Sequence, residues 1–118
     1  MQYLFLIYGS ESKRPETPKS PEELAAYMAP WQAYGKALTE AGVMLGSNAL
    51  QGVATATTIS ATSGETLITD GPFAETKEQL GGYYLVECDD LDSALQWAAK
   101  CPVVQFGRVE VRPIQHYE

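Results

Sequence analysis

Residues 2–8, QYLFLIY, put large side chains on both sides of an extended chain: Tyr3, Phe5 and Ile7 on one, Leu4, Leu6 and Tyr8 on the other. Residues 81–88, GGYYLVEC, repeat the pattern, with Tyr84 and Val86 opposing Tyr83 and Leu85. A strand that is apolar on both faces has to be covered on both. This requirement constrains the fold of the 118 residues more than any other feature. Only two segments have helical periodicity, and together they cover one face of a sheet.

The first helix has a clear start. Ser20 is placed as N-cap, Pro21 at the first helical position and Glu23 three after the cap, the pattern of a capping box. Leu24, Tyr27, Met28, Trp31, Tyr34, Leu38 and Ala41 follow as one apolar stripe, and Gly42 is a natural stop. Pro30 predicts a kink or brief break near Met28–Pro30, because proline removes a helical hydrogen bond and crowds the preceding turn. In the second helix Asp89 or Asp90 is the cap, Asp92 favours the positive end of the dipole and Pro102 is the end. Its expected buried stripe is Leu91, Ala94, Leu95 and Ala98.

Between these, residues 9–20 read as a surface loop, and 43–50 is a short segment with no element assigned. Thr- and Ile-rich strands are expected at about 53–62 and 65–69, joined by a Ser63-Gly64 hairpin turn. Residues 70–79 read as a loop, with a single helical turn at Glu75–Gln79 as an option. The last strand, GRVEVRPI, alternates, with Val109 and Val111 inward and Arg108, Glu110 and Arg112 outward. The order β-α-β-β-β-α-β fits an α+β fold with a ferredoxin-like antiparallel sheet, two helices on one face and an extra hairpin strand. One domain, 1–118, is expected, with no linker or internal repeat. Leaving the second face bare would forgo ~1.5–3 kcal/mol per large side chain. A second copy of the chain is the expected cover, in a homodimer of the α/β-barrel type, with any ligand cavity between each sheet and its surroundings.

The net charge of −7 and eight scattered Lys and Arg residues argue against nucleic acid and against an anionic membrane surface. A small anionic ligand, held by one or two local basic groups, stays open. Cys88 and Cys101 read as reduced, buried thiols rather than a redox pair. With His116 the one histidine, nothing has zinc-ligand spacing and no metal is expected. No Ser-His-acid set, Gly-rich phosphate loop or dinucleotide fingerprint is present, so no cofactor is expected. The opening MQYLFLIYG is too short for a membrane span and lacks a basic leader, which places the expected protein in the cytoplasm.

The stretch TDGPFAETKEQLGGYYLVE at 69–87, with YLFLIYG, SPEELAAYMAPWQAYGKALTEAG and LDSALQWAAKCP, resembles the DGPF proteins, a branch of the YCII-related family. The resemblance spans nearly the whole chain and implies a ferredoxin-like fold and dimerisation. It implies no single reaction. Some members are encoded beside extracytoplasmic-function sigma factors, which points to a regulatory setting. In the wider family an aspartate and a histidine are suggested as an acid–base pair, and some relatives are small-molecule lyases or dehalogenating enzymes. The aspartate corresponds to Asp70. The histidine's place falls near Trp31, and the first helix has no histidine.

Asp70 thus has two readings. In one it is a catalytic carboxylate at a strand end facing a partly apolar cavity, where burial would raise its pKa toward the range for proton transfer. Pro72 and Phe73 would then wall off water, and Lys77 would hold an anionic substrate group or pair with Asp70. In the other, Asp70 starts a turn by accepting backbone N–H groups, and Gly71 supplies a backbone that other residues resist. Trp31, Tyr83 and Tyr84 are candidates for core, dimer interface or ligand contact. Glu75, Lys77 and Glu78 fit a solvated turn, and Gly81-Gly82 either a close approach or a bulge. Two functions follow: a cofactor-independent enzyme acting on a small molecule through Asp70, or a non-catalytic dimeric protein that binds a metabolite and regulates.

Overall fold

The strand β1 (Gln2–Gly9) lies at the centre of the main sheet, between β5 (Gln79–Glu87) and β6 (Arg108–Pro113) and antiparallel to both. A further strand, β2 (Met44–Ala49), pairs with the outer side of β5, so the four-stranded order is β2-β5-β1-β6. The computed structural model describes residues 1–13 and 18–117, so part of the surface loop expected at 9–20 lies outside the described residues. Helices α1 (Pro21–Glu40) and α2 (Leu91–Ala99) complete a βαββαβ domain, and β3 (Thr57–Thr62) with β4 (Glu65–Asp70) forms a separate two-stranded hairpin inserted between β2 and β5. The fold is α+β with a ferredoxin-like antiparallel sheet.

Two corrections to the strand order follow. The segment at 43–50, to which the sequence assigned no element, holds the strand Met44–Ala49. Gly46, Ser47 and Asn48 have low strand propensity, but an edge strand with an irregularity between Met44 and Gly46 accommodates them. The hairpin, conversely, contributes nothing to the main sheet. Its turn is as expected, with Ser63 at φ 53° and Gly64 at φ 81°, the two positive values of a type I′ connection. Its first strand starts at Thr57, after a 3-10 turn at Val53–Thr55.

The helices cover one face only. Tyr3, Phe5 and Ile7 of β1 and Tyr84 and Val86 of β5 are buried beneath them, with Tyr34 and Leu38 of α1 and Ala94 and Ala98 of α2. Tyr34 donates its hydroxyl to the Trp97 carbonyl (2.9 Å) and meets the Tyr84 ring edge-on at 5.2 Å. Burial pushes Tyr84 up to about 12 and Tyr34 still higher. Cys88 and Cys101 are buried, unbridged thiols, both raised by desolvation.

The ends of α1 follow the sequence more closely than its middle. The Ser20 hydroxyl accepts the Glu23 N–H (3.1 Å), but the Glu23 carboxylate takes the Lys19 N–H (2.7 Å) and not that of Ser20. At the C-terminus Gly42 donates to the Thr39 carbonyl and Val43 to that of Leu38, a Schellman pair. The helix runs through Pro30 without a break. Residues 21–30 are all exposed, so water can satisfy the Ala26 carbonyl that Pro30 leaves without a donor. The same exposure corrects the stripe: Leu24, Tyr27 and Met28 overhang the core, Trp31 is half-buried, and only Tyr34 and Leu38 are buried. In α2 the N-cap is Asp90, which accepts the Ser93 N–H (2.8 Å) and is held below the ordinary carboxylate range by that bond. There the small Ala94 and Ala98 face the sheet and Leu91 and Leu95 stay exposed, against expectation.

The opposite face of the sheet carries Leu4 and Leu6 of β1 beside their partners Leu85 and Tyr83. No helix of the described residues lies over them, and the molecule is only 20 Å thick, the depth of one sheet and one helical layer.

Candidate functional site

The residues around the 70–79 loop come together at the base of the hairpin, beyond the end of β1. Glu11, just past β1, donates its backbone N–H to the Gln79 side-chain carbonyl (2.9 Å) and accepts the Val53 N–H at its own Oε1 (2.9 Å). Gln79 also donates its side-chain Nε2–H to the Thr76 carbonyl (2.6 Å), and the Thr76 hydroxyl donates to the Glu78 carbonyl. These bonds tie three distant segments into one rim. Between them is a groove of about 380 Å³ lined by Glu11, Val53, Ala54, Pro72, Ala74, Glu75, Thr76 and Gln79. That volume lies within the usual ~300–1,000 Å³ of a small-molecule site.

Gly71 fixes how the hairpin joins this groove. Its φ of +94° suits glycine, its N–H reaches the Ala56 carbonyl (2.7 Å), and its carbonyl accepts the Thr58 hydroxyl (2.8 Å). Pro72 then enters the groove wall. The turn reading of Asp70 does not hold as stated. The residue two positions on is Pro72, which has no N–H, and the Asp70 carboxylate makes no hydrogen bond among the described residues. Nor is Asp70 buried: it ends β4 opposite Thr57, exposed to solvent. The burial that the catalytic reading relies on is absent from the single protomer. Phe73 is 91% exposed and walls nothing off, and Lys77 is exposed outside the groove lining. No helical turn forms at Glu75–Gln79, because Gln79 already begins β5.

The two aromatic candidates lie on opposite faces of the sheet. Trp31 packs against the core under α1. Tyr83 stands on the uncovered face, where its hydroxyl accepts the Asn48 side-chain amide (2.8 Å). They cannot line one chamber in a protomer. At Gly81-Gly82 both expectations are met. Gly81 is the extra residue of a bulge opposite Ile7 and Tyr8, and a Cβ on Gly82 would lie 2.8 Å from the Asn48 carbonyl oxygen.

Chemically the groove offers acceptors more than donors: two carboxylates, one amide and one hydroxyl, with Val53, Ala54, Pro72 and Ala74 as an apolar wall. Among the described residues no Lys or Arg lines it. No group of three or more His, Cys, Asp or Glu side chains suited to a metal ion occurs among the described residues. No helix among them is long and apolar enough to cross a membrane. Glu11 and Val53 were not legible as site residues, since a lone glutamate in a polar loop and a valine before a strand have no pattern of their own.

A ferredoxin-like α+β domain with an inserted hairpin, and an acidic groove at the hairpin's base, is the class that fold and geometry define. The chain belongs to the YCII-related domain family, whose pattern matches residues 1–118. An uncharacterized protein of Rhizobium meliloti (strain 1021) is 38% identical over 120 residues, covering 100% of this chain and 95% of its own length. Among solved structures, a 5-chloro-2-hydroxyhydroquinone dehydrochlorinase from Burkholderia phenoliruptrix AC1100, in complex with 2,5-dihydroxybenzoquinone, aligns with a TM-score of 0.49 and 13% identity, over 99% of this chain and 96% of that one. At that level the likeness says nothing about the chemistry of this chain.

Proposed function

We propose that the protein is a homodimer that binds a small neutral or cationic molecule, bearing hydroxyl or amine groups, in the groove beside residues 70–73. The observation that carries this reading is the Glu11 carboxylate. It is fixed by the Val53 N–H at one oxygen and lines the groove, with no Lys or Arg among the described lining residues. A carboxylate held in this way accepts hydrogen bonds from a donor-rich ligand and repels an anion. The homodimer is proposed because Leu4, Leu6, Tyr83 and Leu85 are only half-buried on a face that no helix of the described residues covers, and a two-fold partner would seal it sheet to sheet.

A melting-temperature screen of polyols and amines against organic acids tests the ligand class, since a ligand that binds the native state stabilises it. Polyols or amines should raise the melting temperature and Glu11→Gln should abolish the rise; stabilisation by organic acids alone would reverse the assignment. For the dimer, Leu6→Lys should give a single-chain species in sedimentation, and an unchanged mass would dismiss the sheet interface.

A catalytic version of this reading is favoured by one observation. Asp70 makes no hydrogen bond among the described residues and stands one residue before Gly71 and two before Pro72 of the groove wall. With Asp70 as acid or base, Asp70→Asn should leave fold and dimer intact and slow turnover by ~10²-fold or more. An undiminished rate would leave the protein as a binding and regulatory module.

A further inference from the structure

The protomer exposes far more surface than its mass requires. A compact monomer of 12.9 kDa has an accessible area of about 6,300 Å², whereas this chain exposes 8723 Å². Its radius of gyration is 16.6 Å, against about 13.5 Å for a compact chain of this length. The β3–β4 hairpin contributes to this departure. Every residue from Thr57 to Asp70 is exposed except the half-buried Thr58, and neither strand packs on another element beyond isolated contacts. An isolated two-stranded hairpin is marginally stable at best in water.

The hairpin also has a face suited to burial. Ile59 and Ile68 stand directly opposite each other, 67% and 64% exposed, with Ala61 on the same side. Residues 57–70 contain no Lys or Arg, which gives the hairpin no attraction for nucleic acid or an anionic membrane. The Ile59–Ile68 pair with Ala61 forms an apolar patch, bordered on the same face by Thr57, Thr66 and Asp70, and such a patch fits a protein surface.

We infer that the β3–β4 hairpin is an arm that docks on a second copy of this chain, burying the Ile59–Ile68 pair across the two-fold axis. This rests on the sheet-to-sheet dimer proposed above and extends its interface. The area supports that choice of occupant. The surplus of about 2,400 Å² per protomer doubles to a total within the ~2,000–5,000 Å² of permanent dimers. A sheet face alone would leave the arm bare. The arm also bears on the candidate site: Asp70 is its last residue and Gly71 its junction with the body, so docking fixes the position of the carboxylate and of the groove wall at Pro72.

The test combines sedimentation with amide hydrogen exchange on the full chain. In the wild-type dimer, the exchange of residues 57–70 should slow at high protein concentration and speed up on dilution. The double variant Ile59→Thr, Ile68→Thr keeps β-branched side chains and places no like charges across the hairpin, so circular dichroism should not change. It should raise the dimer dissociation constant at least a hundredfold and abolish the protection. A variant that stays as dimeric as the wild type, or an arm that exchanges freely in the intact dimer, overturns the arm while leaving the sheet interface standing. A wild-type chain that is monomeric at every concentration overturns both.

Discussion

Two glycine-to-alanine substitutions should move stability in opposite directions, and their sizes can be worked from the space around each. At Gly107 a Cβ would lie 2.2 Å from the Tyr8 carbonyl oxygen, 2.9 Å from Val103 Cγ2 and 3.2 Å from Gly9 Cα. Two of these neighbours are backbone, so relief requires moving the start of β6 away from the end of β1. That shift disturbs the Tyr8–Arg108 pairing and the Gly107 N–H bond to the Val103 carbonyl (2.6 Å). The expected cost of Gly107→Ala is about 3 kcal/mol, the upper part of the range for overpacking. At Gly35, inside α1, an added Cβ meets nothing within 4 Å. Gly35→Ala should therefore gain about 0.5–1 kcal/mol from helix propensity and reduced unfolded-state entropy. With an unfolding entropy of ~2.1 cal/mol/K per residue, each kcal/mol shifts the melting temperature of a chain this long by about 4 °C. The pair should differ by about 15 °C in scans at one fixed protein concentration, which removes any contribution from dimer mass action. A Gly107→Ala protein melting within 2–3 °C (roughly half a kcal/mol) of wild type would refute the close packing of β6 on β1.

The buried tyrosines set an alkaline limit. Their folded-state values are raised above the ordinary 10.0, so the stability they contribute is complete below that pH and is lost as pH rises toward about 12 for Tyr84. Absorbance titration should show Tyr84 and Tyr34 ionising only with alkaline unfolding, whereas early ionisation of every tyrosine would contradict their burial. Cys88 and Cys101 should resist a thiol reagent at neutral pH and react fully in denaturant, because burial raises both thiols and blocks access.

The parts of the fold that could be read from the sequence are those where local chemistry and periodicity agree. Ser20, Pro21 and Gly42 mark the limits of α1, Ser63-Gly64 has the required turn residues, and the two-sided apolar patterns of β1 and β5 identify the centre of the sheet. Tertiary competition decided the rest. The strand at Met44–Ala49 is held by its ladder to β5 and not by the propensity of Gly46, Ser47 and Asn48. Leu24 and Leu95 have the right spacing for burial, yet Leu24 lies where α1 overhangs the core and Leu95 on the flank of α2, beside the buried Ala94 and Ala98. The candidate site was the least legible. Asp70, Phe73 and Lys77 stand out in the sequence but point to solvent, whereas Glu11 and Gln79, which shape the groove, are joined only by folding across a long stretch of chain.

The position of β1 between β5 and β6 has a consequence for biosynthesis. A ribosome releases β1 long before either neighbour has been translated, so the greasiest strand waits with both hydrogen-bonding edges open. Non-local pairing of this kind slows folding and exposes nascent chains to aggregation. Cells making this protein should therefore depend on chaperone shielding of residues 2–9 until the C-terminal strand emerges.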